Sequence, residues 1–467
     1  FKNELKPDSK DAIDQLAAGG CKNLMLTGDH ILTAISVAKE CSFMPAEAKV
    51  LRSVSIGGEA TLASIEWQDM ADNTQKLDLK EDSIELVMLG EIWRKLPVAD
   101  QTILLPYVRI WARTSPTDKL EVIKLIVAKG HITSMCGDGG NDCGALRAAH
   151  VGVALSDSEA SIVSPFTSLN KTCMSVVDTL RNGRGCLATS FACYKYLIMY
   201  GQIETVNQVI NAYFSITFCE WSWVFMDGFW VVTMFSTLGF AKPASKLSSV
   251  RPPSNLFGAY TMGTLVGVLL IHFFFIVIAL GALFSQPWFQ CRIWDPDSAD
   301  LGDVFGISDN YETAVIFLVS GAQYLSSAMA LNFGHKHRQP WIYNKYFVAL
   351  LVVFIVIQLH ITLTPSWLSC VFHINCEGSM SMPGVLDPCP HPIGNPWNTT
   401  VMPVSFRWAL FGIIVANTVA VMCWEYLVIL GPVGAWIRSK RPRKPSLLRS
   451  KPAERASEQR EPARSWA

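Results

Sequence analysis

The sequence predicts an α/β unit built on a parallel sheet, followed by an all-α bundle of six membrane-spanning helices. Three observations predict it. Up to about residue 185, short apolar runs alternate with helix-spaced runs and break at glycine–aspartate turns. From Cys186 onward, apolar runs of membrane-spanning length recur in series. The composition is half hydrophobic and only 17% charged, with a mean hydropathy of +0.27, whereas soluble domains carry about 25% charged residues. So few charges cannot cover the surface of a water-soluble core of this size. The balance also excludes a disordered, fibrous or nucleic-acid-binding protein. A formal net charge of zero conceals a segregation of charge along the chain. Thirteen cysteines spread over 467 residues do not make a small disulfide scaffold.

The α/β elements follow in order. Asn23 to Leu26 is a short apolar strand ending in Thr27-Gly28-Asp29, and Ile31 to Lys39 then has helical spacing. Leu120 to Val127 carries apolar residues at three- and four-residue steps and is a helix. His131 to Cys136 is a second strand, which breaks at Gly137-Asp138-Gly139-Gly140-Asn141-Asp142. A helix through Ala145 to Ala148 and a third strand, Val151 to Leu155, complete the alternation. In such sheets ligands sit beyond the carboxyl ends of the strands, where both turns lie. Asp138 and Asp142 offer two carboxylates on a glycine turn, suited to a hard cation such as magnesium. Thr27 adds a hydroxyl, Lys119 a positive charge, and the glycines open backbone N–H groups to an anion. Together they would hold a phosphoryl group, although Thr27-Gly28-Asp29 taken alone is an ordinary turn. The acidic spacing is not that of an EF-hand, and no Gly-Lys-Ser/Thr follows to make a Walker loop.

The six predicted spans are Leu187–Phe214, Trp221–Phe240, Tyr260–Phe284, Ala314–Leu331, Phe347–Leu363 and Phe406–Leu430. Loop charge orients them. Lys242, Lys246 and Arg251 share one connection without an acid, Lys336, Arg338 and Lys345 share another, and the tail from residue 431 is basic. The loop after Phe284 instead holds Asp295, Asp297, Asp300, Asp303 and Asp309, and the loop from Thr364 to Val404 has no Lys or Arg. The α/β unit and the tail are therefore expected on the cytosolic side. Asn398-Thr399-Thr400 is a glycosylation sequon on the opposite side, with Cys291, Cys370, Cys376 and Cys389 in the same two loops and three pairings open among the loop cysteines. The chain opens without the basic and apolar regions of a signal peptide. The proline-containing tail, 431–467, is expected to be solvated, with membrane lipids as the other possible contact of its basic residues.

Ionisable groups at membrane depth are expensive and mark pathways. The first span carries Lys195, Gln202, Glu204, Asn207, Gln208 and Asn211, and the second carries Asp227. Lys195 is expected to snorkel to the cytosolic end. Asp227, seven residues into a span with apolar and aromatic flanks, is expected to bind a cation, with Glu204, Gln202 and Tyr200 beside it and tyrosine and tryptophan faces for ammonium groups. Asn207, Gln208 and Asn211 suit hydrogen bonding between helices.

Met25-Leu26-Thr27-Gly28-Asp29-His30, Ala112-Arg113-Thr114-Ser115-Pro116-Thr117-Asp118-Lys119 and the block from Met135 to Leu146 occur in that order. They resemble the second half of the phosphorylation domain of P-type ATPases, a haloacid-dehalogenase-like fold. Glu159 to Ser168, Arg251-Pro252-Pro253, Gln286-Pro287-Trp288 and Asn310-Tyr311-Glu312 resemble the type V, subclass B branch, associated with polyamine transport out of lysosomes and late endosomes. The resemblance implies an ATP-driven cation pump cycling through an aspartyl phosphate with Mg2+. Asp138 and Asp142 would bind the metal with Asn141, Thr27 and Gly28 would contact the phosphate, Lys119 would neutralise it, and Asp29 would organise that end of the domain. It also implies that Asp227 takes part in polyamine binding, that Glu204 stands where the branch usually has Gln, and that the membrane is endosomal or lysosomal. His30 and Gly140 depart from the family's usual Asn and Ala. No Asp-Lys-Thr-Gly-Thr is present, and neither the nucleotide domain, the Thr-Gly-Glu loop nor the first four spans is recognised. On its own, this carboxy-terminal half is not expected to turn over ATP. A truncated, non-catalytic form that associates with a full-length pump is the alternative, and a membrane-anchored phosphatase of the same fold is a third reading, which also lacks its nucleophile.

Overall fold

The computed structural model describes residues 5–44, 48–58, 60–79, 84–155, 159–214, 216–289, 310–333, 336–372, 374–375 and 401–439. The sequon at Asn398, Cys291, Cys376, Cys389, the acidic loop and the tail beyond residue 439 lie outside the described residues. Within them the chain divides into an α/β unit, up to residue 183 with 246–251, and a helical unit, 184–245 with 252 onward.

The α/β unit runs α1 (Ser9–Ala18), β1 (Met25–Leu26), α2 (Ile31–Glu40), β2 (Lys49–Ile56), β3 (Ile65–Gln68), β4 (Thr74–Gln75), β5 (Ile84–Leu89), α3 (Gly90–Lys95), α4 (Val98–Leu104), β6 (Val108–Ala112), α5 (Pro116–Ala128), β7 (Ser134–Gly137), α6 (Cys143–Ala148), β8 (Val151–Ala154), α7 (Glu159–Val163) and β9 (Phe166–Thr167). One sheet has the order β1-β6-β5-β2-β3-β4 and a second has β7-β8-β9. Strands β1, β6, β5 and β2 pair in parallel, whereas β3 and β4 add antiparallel strands.

β5 is buried on both faces, as a central parallel strand should be, and its side chains alternate with the strand period. Leu86 and Met88 join a cluster with Trp67, Trp93 and Trp111. Val87 points the other way, onto Ile31, Ala34, Ile35 and Ala38 of α2. Glu85 breaks the apolar run, yet Arg109 Nη2 lies 3.0 Å from its carboxylate. The predicted strands and helices around the two glycine–aspartate turns are present, with ends shifted by a few residues. The β3–β4 extension was not foreseen, since short strands with mixed faces leave a weak pattern.

A third apolar cluster gathers Ile123, Met135, Ala145, Leu146 and Ala154, with Leu26 of β1 packed against it. β1 and β7 are each the end strand of their sheet. Their residues thus meet in one core although no ladder joins them.

The helical unit begins within α8 (Met174–Phe214) and continues with α9 (Glu220–Trp223), a π-helical stretch Val224–Val231, α10 (Val232–Leu238), α11 (Ala259–Phe284), α12 (Tyr311–Ala330), α13 (Lys345–Leu363), α14 (Trp367–Val371), α15 (Val404–Cys423), a second π-helical stretch Trp424–Ile429 and α16 (Pro432–Ser439). Among the described residues four helices are long and apolar enough to cross a membrane: Ala259–Phe284, Tyr311–Ala330, Lys345–Leu363 and Val404–Trp436. The other two predicted spans are also helical. One lies inside α8, diluted by its polar residues, and the other is assembled from α9, the first π stretch and α10. α12 is almost wholly enclosed by its neighbours, in a core around Trp230, Phe317 and Tyr324. Cys370, at the end of α14, is disulfide-bonded.

Candidate functional site

Two groups of residues carry chemistry, one in each unit. In the α/β unit, β1 delivers Thr27 to the sheet end. Its carbonyl accepts from the Thr114 backbone N–H at 3.0 Å and from the Thr114 hydroxyl at 2.9 Å, so the turn is tied to the end of β6. The Thr27 hydroxyl donates to Asp29 Oδ2 at 2.9 Å and accepts from the Asp29 N–H at 3.1 Å. Gly28 is exposed, and a Cβ there would meet only the Thr114 carbonyl, at 3.8 Å. His30 caps α2, its Nδ1 accepting from the Leu32 N–H at 3.3 Å, which is the part an Asn would play.

Ser115 opens α5 through a reciprocal capping box with Asp118, with Pro116 in the first turn. The cap fixes where α5 starts and therefore where Lys119 stands. Lys119 Nζ donates to Asp142 Oδ1 at 2.7 Å, with both side chains mostly buried. Asp142 folds back over the end of β7: a Cβ on Gly137 would fall 2.5 Å from Asp142 Oδ2 and 2.8 Å from its Cβ and Cγ. Only glycine permits that fold-back. Asp138 and Asn141 are exposed on the same loop. The predicted Lys119, Asp138, Asn141 and Asp142 are thus gathered at one end of β7, and Thr27, Gly28 and Asp29 at the end of β1.

No group of three or more His, Cys, Asp or Glu converges as a metal cage among the described residues. The donors at the β7 turn are oxygens of two carboxylates and an amide. That set fits magnesium, which takes one or two carboxylates and completes its shell with water and phosphate oxygens.

In the helical unit, α8 and the first π stretch bring two acids to two tyrosines. The Tyr200 hydroxyl donates to Asp227 Oδ1 at 2.7 Å, and the Tyr324 hydroxyl donates to Glu204 Oε1. The two tyrosine rings lie 5.9 Å apart. The second Glu204 oxygen is buried without a hydrogen-bond partner. A cavity of about 470 Å³ opens here, lined by Tyr200, Glu204, Thr205, Gln208 and Trp223 among others. Tyr200 and Glu204 are four residues apart and share a helix face. Gln202 lies about 200° round the helix from either, does not line the cavity, and has a buried oxygen with no partner. It is the one predicted transport residue that is not brought into the cluster.

Tyr324 was missed by sequence reasoning because it sits in an apolar run with nothing to single it out. Trp230 is fully buried against Phe317 and Tyr324, so its ring is core. Asn207 does join helices, its Oδ1 accepting from Ser320 at 2.9 Å. The largest correction concerns Lys195. It does not snorkel: it is 3% exposed and its Nζ donates to Glu425 Oε1 at 3.2 Å. A carboxylate 230 residues away in sequence removes the reason to seek water.

No family model matches the chain. Among curated proteins it is similar to the vacuolar cation-transporting ATPase YPK9 of Saccharomyces cerevisiae, at 29% identity over 374 residues covering 74% of this chain and 25% of that protein. It is 28% identical to the polyamine-transporting ATPase 13A2 of Homo sapiens over 479 residues, 97% of this chain and 37% of that one. With the human polyamine-transporting ATPase 13A3 it shares 27% over 414 residues, 78% and 33% respectively. The chain therefore spans between a quarter and two fifths of the length of these relatives.

Proposed function

We propose that this chain, whose homologues are type V P-type ATPases, is the C-terminal part of an ATP-driven cation pump of subclass B and that its cargo is a polyamine. The observation that carries the reading is the pair of acids in the helical unit, each held by a tyrosine: Glu204 lines the cleft, and Asp227 is tied to it through the hydroxyl of the cleft-lining Tyr200. Two acids close together among apolar helices repel one another and are costly to bury. A polycation relieves both costs: its ammonium groups meet the carboxylates and its methylenes and charges lie against Tyr200 and Trp223.

In this reading the α/β unit is the second half of a haloacid-dehalogenase-like phosphorylation domain. Thr27 and the Gly28 N–H address the phosphoryl group, and Lys119 supplies positive charge. Asp29 orients the Thr27 hydroxyl. Asp138, Asp142 and Asn141 hold magnesium, which when bound neutralises phosphoryl oxygens. The acceptor aspartate and the nucleotide site belong to other segments of the pump. The open edges of β1 and β7, which share a core through Leu26 and Met135, are the place where a strand carrying that aspartate would run. Six crossings, with the α/β unit and the basic tail on the cytosolic side of an endosomal or lysosomal membrane, complete the proposal.

The test uses the full-length product in proteoliposomes. Replacing Asp227→Asn should raise the spermidine concentration that half-activates ATP hydrolysis by about tenfold or more, the scale of one lost charged hydrogen bond, at an unchanged protein level. Unaltered spermidine activation would remove Asp227 from the site.

A further inference from the structure

Helix α8 carries ionisable side chains on two faces. Tyr200 and Glu204 face α12 and the first π stretch. Lys195 precedes Glu204 by nine residues, which is about 13 Å along the helix and about 180° round it. Its ammonium therefore lies on the reverse side, inside a second polar cluster. Nζ donates to Glu425 Oε1 at 3.2 Å, Thr264 Oγ1 donates to the same oxygen at 3.4 Å, and the Tyr260 ring centroid is 5.2 Å from Nζ. Glu425 is 0% exposed, and its Oε2 has no hydrogen-bond partner.

Glu425 stands on the second π-helical stretch, as Asp227 stands on the first. The neighbouring Trp424 keys that stretch to α11. Its indole N–H donates to the Gly263 carbonyl at 3.2 Å, and a Cβ on Gly267 would collide with the same ring. The anchor that receives Lys195 is thus itself fixed.

A buried ion pair adds little net stability over an apolar contact, because desolvation offsets the attraction. What it adds is register. An apolar face can slide or turn past its neighbour with a small change in energy, whereas a displaced Lys195 leaves two charges stranded. We propose that Lys195 and Glu425 are positioning residues whose pair locks the rotation and depth of α8 against α11 and the second π stretch, and so sets the approach of Tyr200 to Asp227 and of Glu204 to Tyr324. The proposal deepens the reading of the cleft as a cation site, and rests on it only for the transport readout.

Two measurements on the full-length membrane protein separate the claims. In the first, Tyr200→Cys and Asp227→Cys are joined by a short bismaleimide and the crosslinked peptide is quantified by mass spectrometry, with and without the double change Lys195→Met/Glu425→Gln. That double change removes both charges at similar volume. The crosslink should fall about threefold or more when the pair is gone, and Lys195→Arg, which keeps the pair, should retain it. In the second, with Tyr200 and Asp227 intact, the double change should raise the half-activating spermidine concentration about tenfold at an unchanged protein level. An undiminished crosslink would reduce the pair to helix packing and overturn the proposal. Should the double variant fail to accumulate, the reversed pair Lys195→Glu/Glu425→Lys is crosslinked instead: recovery supports the lock, and a low yield from a well-inserted protein counts against it. The crosslink needs no cation, so its loss in a pump that ignores spermidine would keep the lock and discard the cation reading.

Discussion

Cys173 stands immediately ahead of α8 and Cys136 on β7, one residue before the glycine that admits Asp142. A hydrogen bond with the Cys136 thiol, aided by Lys6, holds the Cys173 thiol below its ordinary value, while the same contact and burial push Cys136 up. A lowered value means more thiolate at a given pH, and the thiolate is what reacts. Alkylation of Cys173 by iodoacetamide should therefore reach its half-maximal rate at a lower pH than that of a free cysteine in a short unstructured peptide. Replacing Cys136→Ala should move the Cys173 midpoint upward, toward an ordinary thiol, in a pH series read by mass spectrometry. A Cys173 profile identical to that of the free peptide cysteine, or unmoved by Cys136→Ala, would refute the contact. At this scale sequence alone reads residue types well and partners poorly. Thr27, Lys119, Asp138 and Asp142 were recognisable because each motif is contiguous. Tyr324 and Glu425 were not, because their meaning depends on Glu204 and Lys195, which face them only once the helices are packed.

At the scale of the element, the turn after β7 is the most constrained. An alanine in place of Gly137 puts a methyl group inside van der Waals contact with Asp142, so the strand end or the carboxylate must move. Gly137→Ala should cost about 1–3 kcal/mol. Gly144→Ala is the control: its Cβ would sit 3.7 Å from Leu120, an ordinary contact, inside a helix that gains from alanine. Thermal unfolding of the two variants should separate them in opposite directions, and a neutral Gly137→Ala would mean the Asp142 fold-back is not needed. The same scale explains the π-helical stretches. A widened turn re-aims the side chain it carries, and such turns are frequent at functional sites; among the described residues both carry an acid facing a polar partner on α8. Nothing in local composition announces a π turn, since its hydrogen bonds are chosen by packing rather than by propensity.

For the whole molecule, the two sheets of the α/β unit end on strands that share a core but no ladder. If a strand from another segment of the pump completes the sheet, backbone N–H groups on the outer edges of β1 and β7 gain partners. Hydrogen exchange at Met25–Leu26 and Ser134–Gly137 should then be at least about tenfold slower in the full-length pump than in this chain alone, as expected when exposed edges become paired. Equal exchange in both would mean that no strand pairs with these edges. The helical unit shows a complementary arrangement. α12 is wrapped by its neighbours, so the contact of its Ser320 with Asn207, both 0% exposed, falls where no water competes.

Two properties follow from sequence alone: the division into an α/β part and a run of apolar helices, and the glycine–aspartate turns at strand ends. Both are local in origin, since hydrophobic period, span length and glycine turns are written in neighbouring residues. The tertiary structure decided the rest. It turned Lys195 inward onto Glu425, joined Tyr200 to Asp227 and Tyr324 to Glu204, left Gln202 outside their cluster, and opened two sheet edges onto one core. Each of these is a contact between distant segments, and a buried charge takes its role from the partner that packing supplies.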